Sequence, residues 1–598
     1  MTGPRYLILI AASLRDLGDP IAQLRRSTDL ETVFEKDGIA VLANQAQHSI
    51  HLGGHGVILG DLYRKHASHG LADELQSVER GQIVDGTGQF LIDDCWGRYV
   101  AVSAGGRGAR VVRDPSGAVQ CVYTRTANVI AFASHIDLVR AVGLWSPEID
   151  WLALSRHLFS GGLPSAETSL RGVLELLPGT AADVQAHNVS LRELWSPWRY
   201  VASSKTMDRA EAIDRVYRAA ERAVSETVSK FPRLLVGVSG GLDSSIVAAF
   251  AARAGASIKP ITLITQDGDG DETPYAAHLC EALGATLARA QYRADVIDLG
   301  QAASPSFTRP TSRAEAQAYN SALRHCFRPG EIDAFLSGNG GDNVFAYSQS
   351  ASALTDRYLA EGLGRGCLRT LADICALNGC GPIAAMRHAS AKLPRSMHRY
   401  RWSPEPMLLS QEILRVHENT PIEHPWLHAP ESVPPGKAAH VAQLLKIQQH
   451  LQANEDAIGI PVITPLMSQP VIEACLPIPT WEWCKGGQNR SVAREAFAGI
   501  LPRAIVNRRT KGGPDSFCSQ FISARRREIA DRLLHGNVVA SGIIDRTALE
   551  TVLTTNSHIT GFEYVRILTL LEAEAWSDYW RERSGSMPVS PERRSVSQ

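Results

Sequence analysis

Apolar residues in the first 200 positions gather into short runs: Tyr6–Ala11, Gly56–Gly60, Phe90–Ile92, Arg98–Val102, Arg110–Val112, Val119–Tyr123 and Val129–Ala133. Gly, Asp and Pro separate several of them, and Arg113-Asp-Pro-Ser-Gly117 has the makeup of a tight turn. Short runs punctuated in this way predict strands of a sheet. A helical period appears at Glu148–Phe159, where Trp151, Leu152, Leu154 and Leu158 recur at helical spacing.

The pattern changes after Trp195-Ser-Pro-Trp198. Residues 208–231 predict an amphipathic helix with Ile213, Val216, Tyr217, Ala220 and Val224 on one face. Leu234–Val238 is a continuous apolar run suited to a buried parallel strand, and it leads through a glycine-rich segment into a helix over 245–254. A strand at Ile261–Thr265, a helix at Thr273–Leu283 and a strand at Ala334–Leu336 follow. Such alternation predicts a parallel doubly wound sheet, whose ligands sit at the carboxyl ends of the strands. Beyond about residue 350 helices dominate. Pro421–Pro435 reads as an exposed loop, and the polar tail 586–598 as disordered.

Length and composition bound the rest. A chain of 598 residues exceeds one ordinary core, and the change of pattern divides it into domains at 1–200 and 201–585. Hydrophobic residues at 44% and charged residues at 21% suit a soluble globular protein. Sixty-one basic against 62 acidic residues leave a net charge of -1, which gives no electrostatic case for nucleic acid or an anionic membrane. The apolar run at Tyr6 is too short to span a bilayer, no later stretch is longer, and a cytoplasmic location is expected. Ten scattered cysteines without a C-x-x-C pair read as free thiols of a reducing compartment.

Candidate chemistry concentrates in two glycine loops. In Val236-Gly-Val-Ser-Gly-Gly-Leu-Asp-Ser-Ser245, Gly240 and Gly241 let backbone N–H groups approach an anion, and the helix that follows aims its positive end at it. Ser239, Ser244 and Ser245 add hydroxyl donors. The loop lacks the Gly-Lys-Ser/Thr ending of a Walker A sequence, so it suits a pyrophosphate held without a loop lysine. Asp243 beside phosphates calls for a bridging Mg²⁺. The second loop, Ser337-Gly-Asn-Gly-Gly-Asp342, also follows an apolar strand; Gly338 gives it the same freedom and Asp342 supplies a second carboxylate for Mg²⁺. The nucleotide's adenine is then expected against the strand ends, with Val236 and Leu263 beside it. Asp271-Glu272 reads either as a helix-capping pair or as part of the site. Lys511, in Arg508-Arg-Thr-Lys-Gly-Gly513, reads either as a solvated basic run or as a cation on a loop over the substrate.

Together these segments resemble the asparagine synthetase family. The Ser-Gly-Gly-x-Asp-Ser loop is similar to that family's ATP pyrophosphatase motif. Asp271-Glu272, Ser337-Gly-x-Gly-x-Asp342 and Arg509-x-Lys511-Gly fall in the family's order. Gly60-Asp-Leu-Tyr63, Arg113–Gly117, Phe132-Ala-Ser134 and Leu177-Pro-Gly179 resemble its glutaminase domain. The resemblance implies an α/β protein: an N-terminal Ntn-hydrolase-like β-sandwich, then a parallel-sheet ATP pyrophosphatase domain with extra helices. Two departures stand out. A glutaminase of this class uses an N-terminal cysteine, whereas this chain begins Met1-Thr-Gly-Pro-Arg5, so residues 1–200 are expected to be a degenerate amidotransferase-like scaffold or docking surface. The position matching Asn339 is a glutamate in asparagine synthetases and a tyrosine in β-lactam synthetases, and asparagine handles no protons. Gly340–Phe345, Pro465–Pro470, Pro479-Thr-Trp481, Gly486–Arg490 and Arg508–Gly513 resemble the lasso peptide cyclase branch. That branch implies ATP- and Mg²⁺-dependent adenylylation of an Asp or Glu side chain of a precursor peptide. The peptide's own N-terminal amine then closes a macrolactam, with a leader peptidase and a leader-recognition protein as partners. Asp243 and Asp342 would hold Mg²⁺ and Lys511 would stabilise the developing charge. Arg490 and Arg494 would either assist at phosphate or peptide or be surface charges. The competing expectations are an ammonia-dependent asparagine synthetase or another small-molecule amide or β-lactam synthetase, and a non-catalytic ATP-binding homologue.

Overall fold

The computed structural model describes residues 4–44, 49–66, 75–105, 108–185, 188–201, 207–265, 271–393, 400, 402–451, 455–509, 512–555, 559 and 561–584. Lys511 and the tail 586–598 lie outside them.

The N-terminal lobe is a sandwich of two six-stranded antiparallel sheets. The first runs, in spatial order, Val173–Glu175, Val122–Arg125, Val129–Ala133, Tyr6–Ala11, Ile39–Ala43 and Glu31–Lys36. The second runs Asn188–Glu193, Thr180–Gln185, Gly108–Arg113, Cys95–Gly105, Gly56–Arg64 and Ser49–His51. Side chains alternate between faces along a strand. Tyr6, Ile8 and Ile10 therefore meet Val57, Leu59 and Val100 of the facing sheet, while Leu7 and Leu9 turn outward. Those outer faces are buried too. Leu7 and Leu9 share a core with Leu568 and Leu571 of the helix Phe562–Arg583. Ile58, Leu62 and Tyr99 share one with Val216, Ala220 and Val224 of the helix Arg209–Lys230. Burial on both faces explains why these strands read as solid apolar runs, without the polar alternation of a half-exposed antiparallel sheet.

The second lobe is built on a five-stranded parallel sheet ordered Ala288–Gln291, Ser257–Ile264, Arg233–Gly237, Ala334–Leu336, Val462–Ile463. The chain builds outward from Arg233–Gly237 in one direction, then returns to its other side with Ala334–Leu336. The crevice between those two strands is the topological switch point, where ligands of such sheets bind. Both glycine loops leave from it.

Three sequence expectations are corrected. Phe90–Ile92 is a turn of helix, Gln89–Asp93, because three apolar residues bury equally well in either conformation. In the run Val119–Tyr123 the strand starts only at Val122. The Pro421–Pro435 segment is not an exposed loop at its centre: Trp426 and Leu427 are buried, with Trp426 against Trp195 at 5.3 Å between ring centroids.

The seam between the lobes carries several polar contacts. Asp61 of the second sandwich sheet is held by Arg98, at 3.0 Å, and by Lys230 of the second lobe. Arg98 also donates to the carbonyl of Val462, at the edge of the parallel sheet. Glu473 accepts from Lys65, Trp195, Tyr200 and Gln469. The ten cysteines are free thiols. No described helix is long and apolar enough to cross a membrane.

Candidate active site

The first loop turns sharply out of the strand Arg233–Gly237 and into the helix Leu242–Arg253. Gly240 sits at φ +62°, and a Cβ there would lie 2.3 Å from Cβ of Tyr275, so a side chain has neither the backbone conformation nor the space. Ser239 Oγ and Ser244 Oγ lie 3.1 Å apart across the loop, and Ser245 Oγ donates to the carbonyl of Gly241 at 2.7 Å. The first turn of the helix presents the N–H end of its dipole to this loop, which suits an anion.

The second loop packs directly on the first. A Cβ on Gly338 would lie 2.4 Å from the Ser244 nitrogen, and one on Gly341 2.3 Å from Cγ of Asp243. These two glycines bring the loops together, and Asp243 and Asp342 with them. Both carboxylates reach one guanidinium nitrogen: Arg490 Nη1 is 2.9 Å from Asp243 Oδ2 and 2.6 Å from Asp342 Oδ1. Arg490 caps the helix Ser491–Phe497 from the left-handed region, φ +53°, and its guanidinium stands 5.5 Å from the Tyr347 ring centroid. The two carboxylates thus share a single guanidinium nitrogen. That donor set fits Mg²⁺ of a nucleotide, which takes one or two carboxylates and completes its shell with phosphate oxygens and water. No group of three or more His, Cys, Asp or Glu that could hold a metal alone occurs among the described residues.

Two further arginines line the same space. Arg494 donates to the Asn489 carbonyl at 2.9 Å; burial, then the neighbouring Arg490, push its pKa down to about 10, which leaves it charged at neutral pH. Arg508 lies flat on Tyr275, 4.1 Å from the ring centroid, and donates to the Ser239 carbonyl at 3.0 Å and to Glu272 at 2.7 Å. Glu272 also accepts from the Gly512 nitrogen at 3.1 Å. The Asp271-Glu272 pair thus divides its work: Asp271 accepts from the Thr273 nitrogen at the helix start, and Glu272 accepts from Arg508, itself bonded to the first loop, and from the Gly512 nitrogen.

The cavity these residues line is about 520 Å³ and opens to the surface. Its polar end is made by the two loops with Asp243, Asp342, Arg490 and Arg494, and its apolar end by Leu263, Tyr292, Tyr319, Leu323 and Phe335. Ser239, Gly241, Ser244, Ser337, Gly338 and Asn339 line it as the sequence suggests. Val236 and Ser245 do not: both are fully buried and shape the strand and the turn from behind. Gly240 acts through the turn. Arg509 and Gly512, on either side of Lys511, line the cavity. Sequence reasoning missed Tyr292, Tyr319, Tyr347 and His450, whose signals are single residues without a motif. It noted Arg508 and Glu272 but not their pairing. Burial holds His450 neutral, with its pKa down to about 4.

A site of this kind, paired glycine loops and two carboxylates at the switch point of a parallel sheet, defines a nucleotide-binding α/β protein. More particularly, residues 215–578 match the asparagine synthase family model, and the chain belongs to that family. A 119-residue stretch is 31% identical to carboxyethyl-arginine beta-lactam-synthase of Streptomyces clavuligerus, covering 19% of this chain and 23% of that protein. Among solved structures, the allosteric regulatory enzyme of purine biosynthesis aligns at 9% identity over 48% of this chain and 80% of its own, with a TM-score of 0.20. Glutamine phosphoribosylpyrophosphate amidotransferase from B. subtilis, complexed with ADP and GMP, aligns at 10% identity over 48% and 81%, also with a TM-score of 0.20. At that score the architecture rests on this chain's own topology.

Proposed function

We propose that this protein is an ATP-dependent, AMP-forming carbon–nitrogen ligase, and that it is a lasso peptide cyclase. It joins an Asp or Glu side chain of a leader-processed precursor peptide to that peptide's N-terminal amine. The observation that carries the ligase reading is the convergence of Asp243, Asp342 and Arg490 at the mouth of two anion-cradling loops. Ser239–Ser244 would hold the triphosphate, and Leu263, Tyr292 and Tyr319 line the space available to the adenine. Asp243 and Asp342 would hold Mg²⁺, which would neutralise phosphate charge. The peptide carboxylate attacks the α-phosphorus, an acyl–AMP bond forms and pyrophosphate leaves. The amine then adds to the acyl carbon, AMP leaves and one proton is lost. Arg490, Arg494 and Lys511 are the cations available to the charge that develops in these steps. Arg509 and Gly512, the described residues flanking Lys511 in sequence, line the cavity.

Two observations support an amine that comes from within the substrate. Asn339 Oδ1 accepts from the Gly340 nitrogen, so its side chain is engaged by its own loop. In the first lobe, Cys95 and Cys121 are buried, and burial pushes their thiols up to about 12 and about 11, which leaves them inert as nucleophiles. We read residues 1–200 accordingly as a lobe without glutaminase activity beside an adenylating lobe at 201–585, with a leader peptidase and a leader-recognition protein as partners in the cytoplasm. The 31% match to carboxyethyl-arginine beta-lactam-synthase favours a second reading, closure of a small β-lactam, in which acid and amine also share one molecule.

The deciding experiment incubates the protein with the precursor peptide encoded beside its gene, the leader peptidase, the leader-recognition protein, ATP and Mg²⁺. The cyclase reading expects loss of one water from the core peptide, with one AMP per ring. AMP release with a carboxyethyl amino acid, or with aspartate and ammonium, and an unchanged peptide would overturn it.

A further inference from the structure

A second hollow, of about 40 Å³, lies between the helices Ser352–Glu361 and Pro435–Gln448 and the turn at Thr480–Glu482. It shares Asn489 with the nucleotide cavity. Two side chains on its wall each keep a buried polar atom without a hydrogen-bond partner among the described residues: Nδ1 of His440 and the indole Nε1 of Trp483. These residues are 3% and 2% exposed. Buried donors and acceptors left unpaired are costly and rare.

The wall has a defined hydrogen-bonding character. His440 Nε2 stands 3.0 Å from the Val344 carbonyl, so that nitrogen carries the hydrogen and Nδ1 offers a lone pair. Burial, with Lys437 nearby, pushes the ring's pKa down to about 3 and keeps it neutral. Ser350 and Ser352 each accept from the Lys392 ammonium, at 2.6 and 2.7 Å, and their hydroxyl oxygens lie 2.8 Å apart. Ser350 Oγ also accepts from the Ser352 nitrogen at 3.2 Å, so the Ser350 O–H closes that short bond and the Ser352 O–H is left to donate. The unpartnered atoms on the wall are one donor, the Trp483 N–H, and one acceptor, His440 Nδ1, and the serine hydroxyl adds a second donor. An amide has the complementary set: a carbonyl oxygen with two lone pairs and an N–H. A carboxylate would set a lone pair against His440 Nδ1, and an ammonium would set its hydrogens against both donors. A space of this size holds about two or three waters, enough for an amide unit but not for a whole residue.

We propose that this hollow is a substrate subsite that takes one amide unit, a peptide bond or a carboxamide, from the amine-bearing end of the substrate. That unit anchors the amine at the Asn489 wall of the nucleotide cavity. The proposal rests on the ligase reading and adds to it how the amine is placed.

The test uses the full chain without nucleotide. The indole N–H resonance of Trp483, assigned by its loss in Trp483→Phe, is followed while acetamide, acetate or methylammonium is added. Acetamide is expected to shift it saturably, and Ser352→Ala to weaken that binding about tenfold, as loss of one hydrogen bond would. Unchanged resonances of the other indoles certify that the variant is folded. No saturable shift with acetamide would mean that only water fills the hollow and would overturn the proposal, as would equal binding of acetate or methylammonium. The titration needs neither ATP nor peptide. Acetamide binding without peptide ring closure would count against the cyclase reading alone, and ring closure without acetamide binding against the subsite alone.

Discussion

The seam between the lobes and the mouth of the nucleotide cavity each hold a cluster of carboxylates and cations, and they are built in opposite proportion. At the seam a single acid, Asp61, meets two cations, Arg98 and Lys230, in nearly complete burial. Burial alone would raise the Asp61 pKa, but Arg98 and then Lys230 outweigh it and hold the carboxyl below the usual range. At the cavity two acids, Asp243 and Asp342, share the Arg490 guanidinium beside open space. The Asp61 cluster is closed to solvent, whereas the Asp243–Asp342 pair borders an open cavity that Arg494 and Arg508 also line. The first arrangement fixes two lobes together, and the second has room for a further cation and its phosphates.

That contrast can be broken most forcefully at the acids of the cavity. Asp243→Asn, or Lys511→Ala on the neighbouring loop, should lower kcat for AMP release about 10³-fold, with a urea unfolding midpoint close to that of the parent. Equal activity would sink the proposed roles. Asp61→Ala should do the reverse. It strands Arg98 and Lys230, and the loss expected for breaking a buried pair is about 3–5 kcal/mol, read by chemical denaturation, while the folded fraction keeps its ATP affinity. Gly341→Ala probes how the cavity acids are placed: the new methyl must displace Asp243, and a shift of about 1 Å at such a centre costs on the order of 10² in kcat.

The smallest effect separates neutralisation by cations from neutralisation by N–H groups. Glu572 is buried and accepts from the backbone of Ala303 and Ser304, and burial raises its pKa from 4.5 to about 7. The folded state therefore favours the protonated acid. Its contribution is fully present below pH 4.5 and is lost as the pH rises through about 7. Urea midpoints measured across that interval should decline in the parent relative to Glu572→Gln, and parallel curves would refute the assignment.

Much of the site is written locally in the chain. Ser239–Ser245 and Ser337–Asp342 each follow an apolar strand, so strand, loop and glycine spacing place them without any knowledge of tertiary contacts. Arg490 was visible only as one arginine before a helix. Its meeting with Asp243 spans 247 positions and depends on how the helix Ser491–Phe497 docks, which no local pattern encodes. Glu272 is similar: its position at a helix start is legible, but its partners Arg508 and Gly512 lie far along the chain. The fold divides in the same way. Tyr6–Ala11 and Val129–Ala133 are strands at the limits their apolar runs suggest. Solid hydrophobicity shows that both faces are covered but does not say by what, so the joining of the first sheet to the last helix was hidden.

That joining has a consequence in time. Leu7 and Leu9 leave the ribosome well before Leu568 and Leu571, which share their core. At about 5–20 residues per second that contact waits roughly half a minute to two minutes. In the interval Leu17, Ile136 and Leu154 of the same lobe can cover part of the sheet's outer face, while the patch that meets Leu568 and Leu571 stays bare. That patch is where the nascent chain most depends on chaperones.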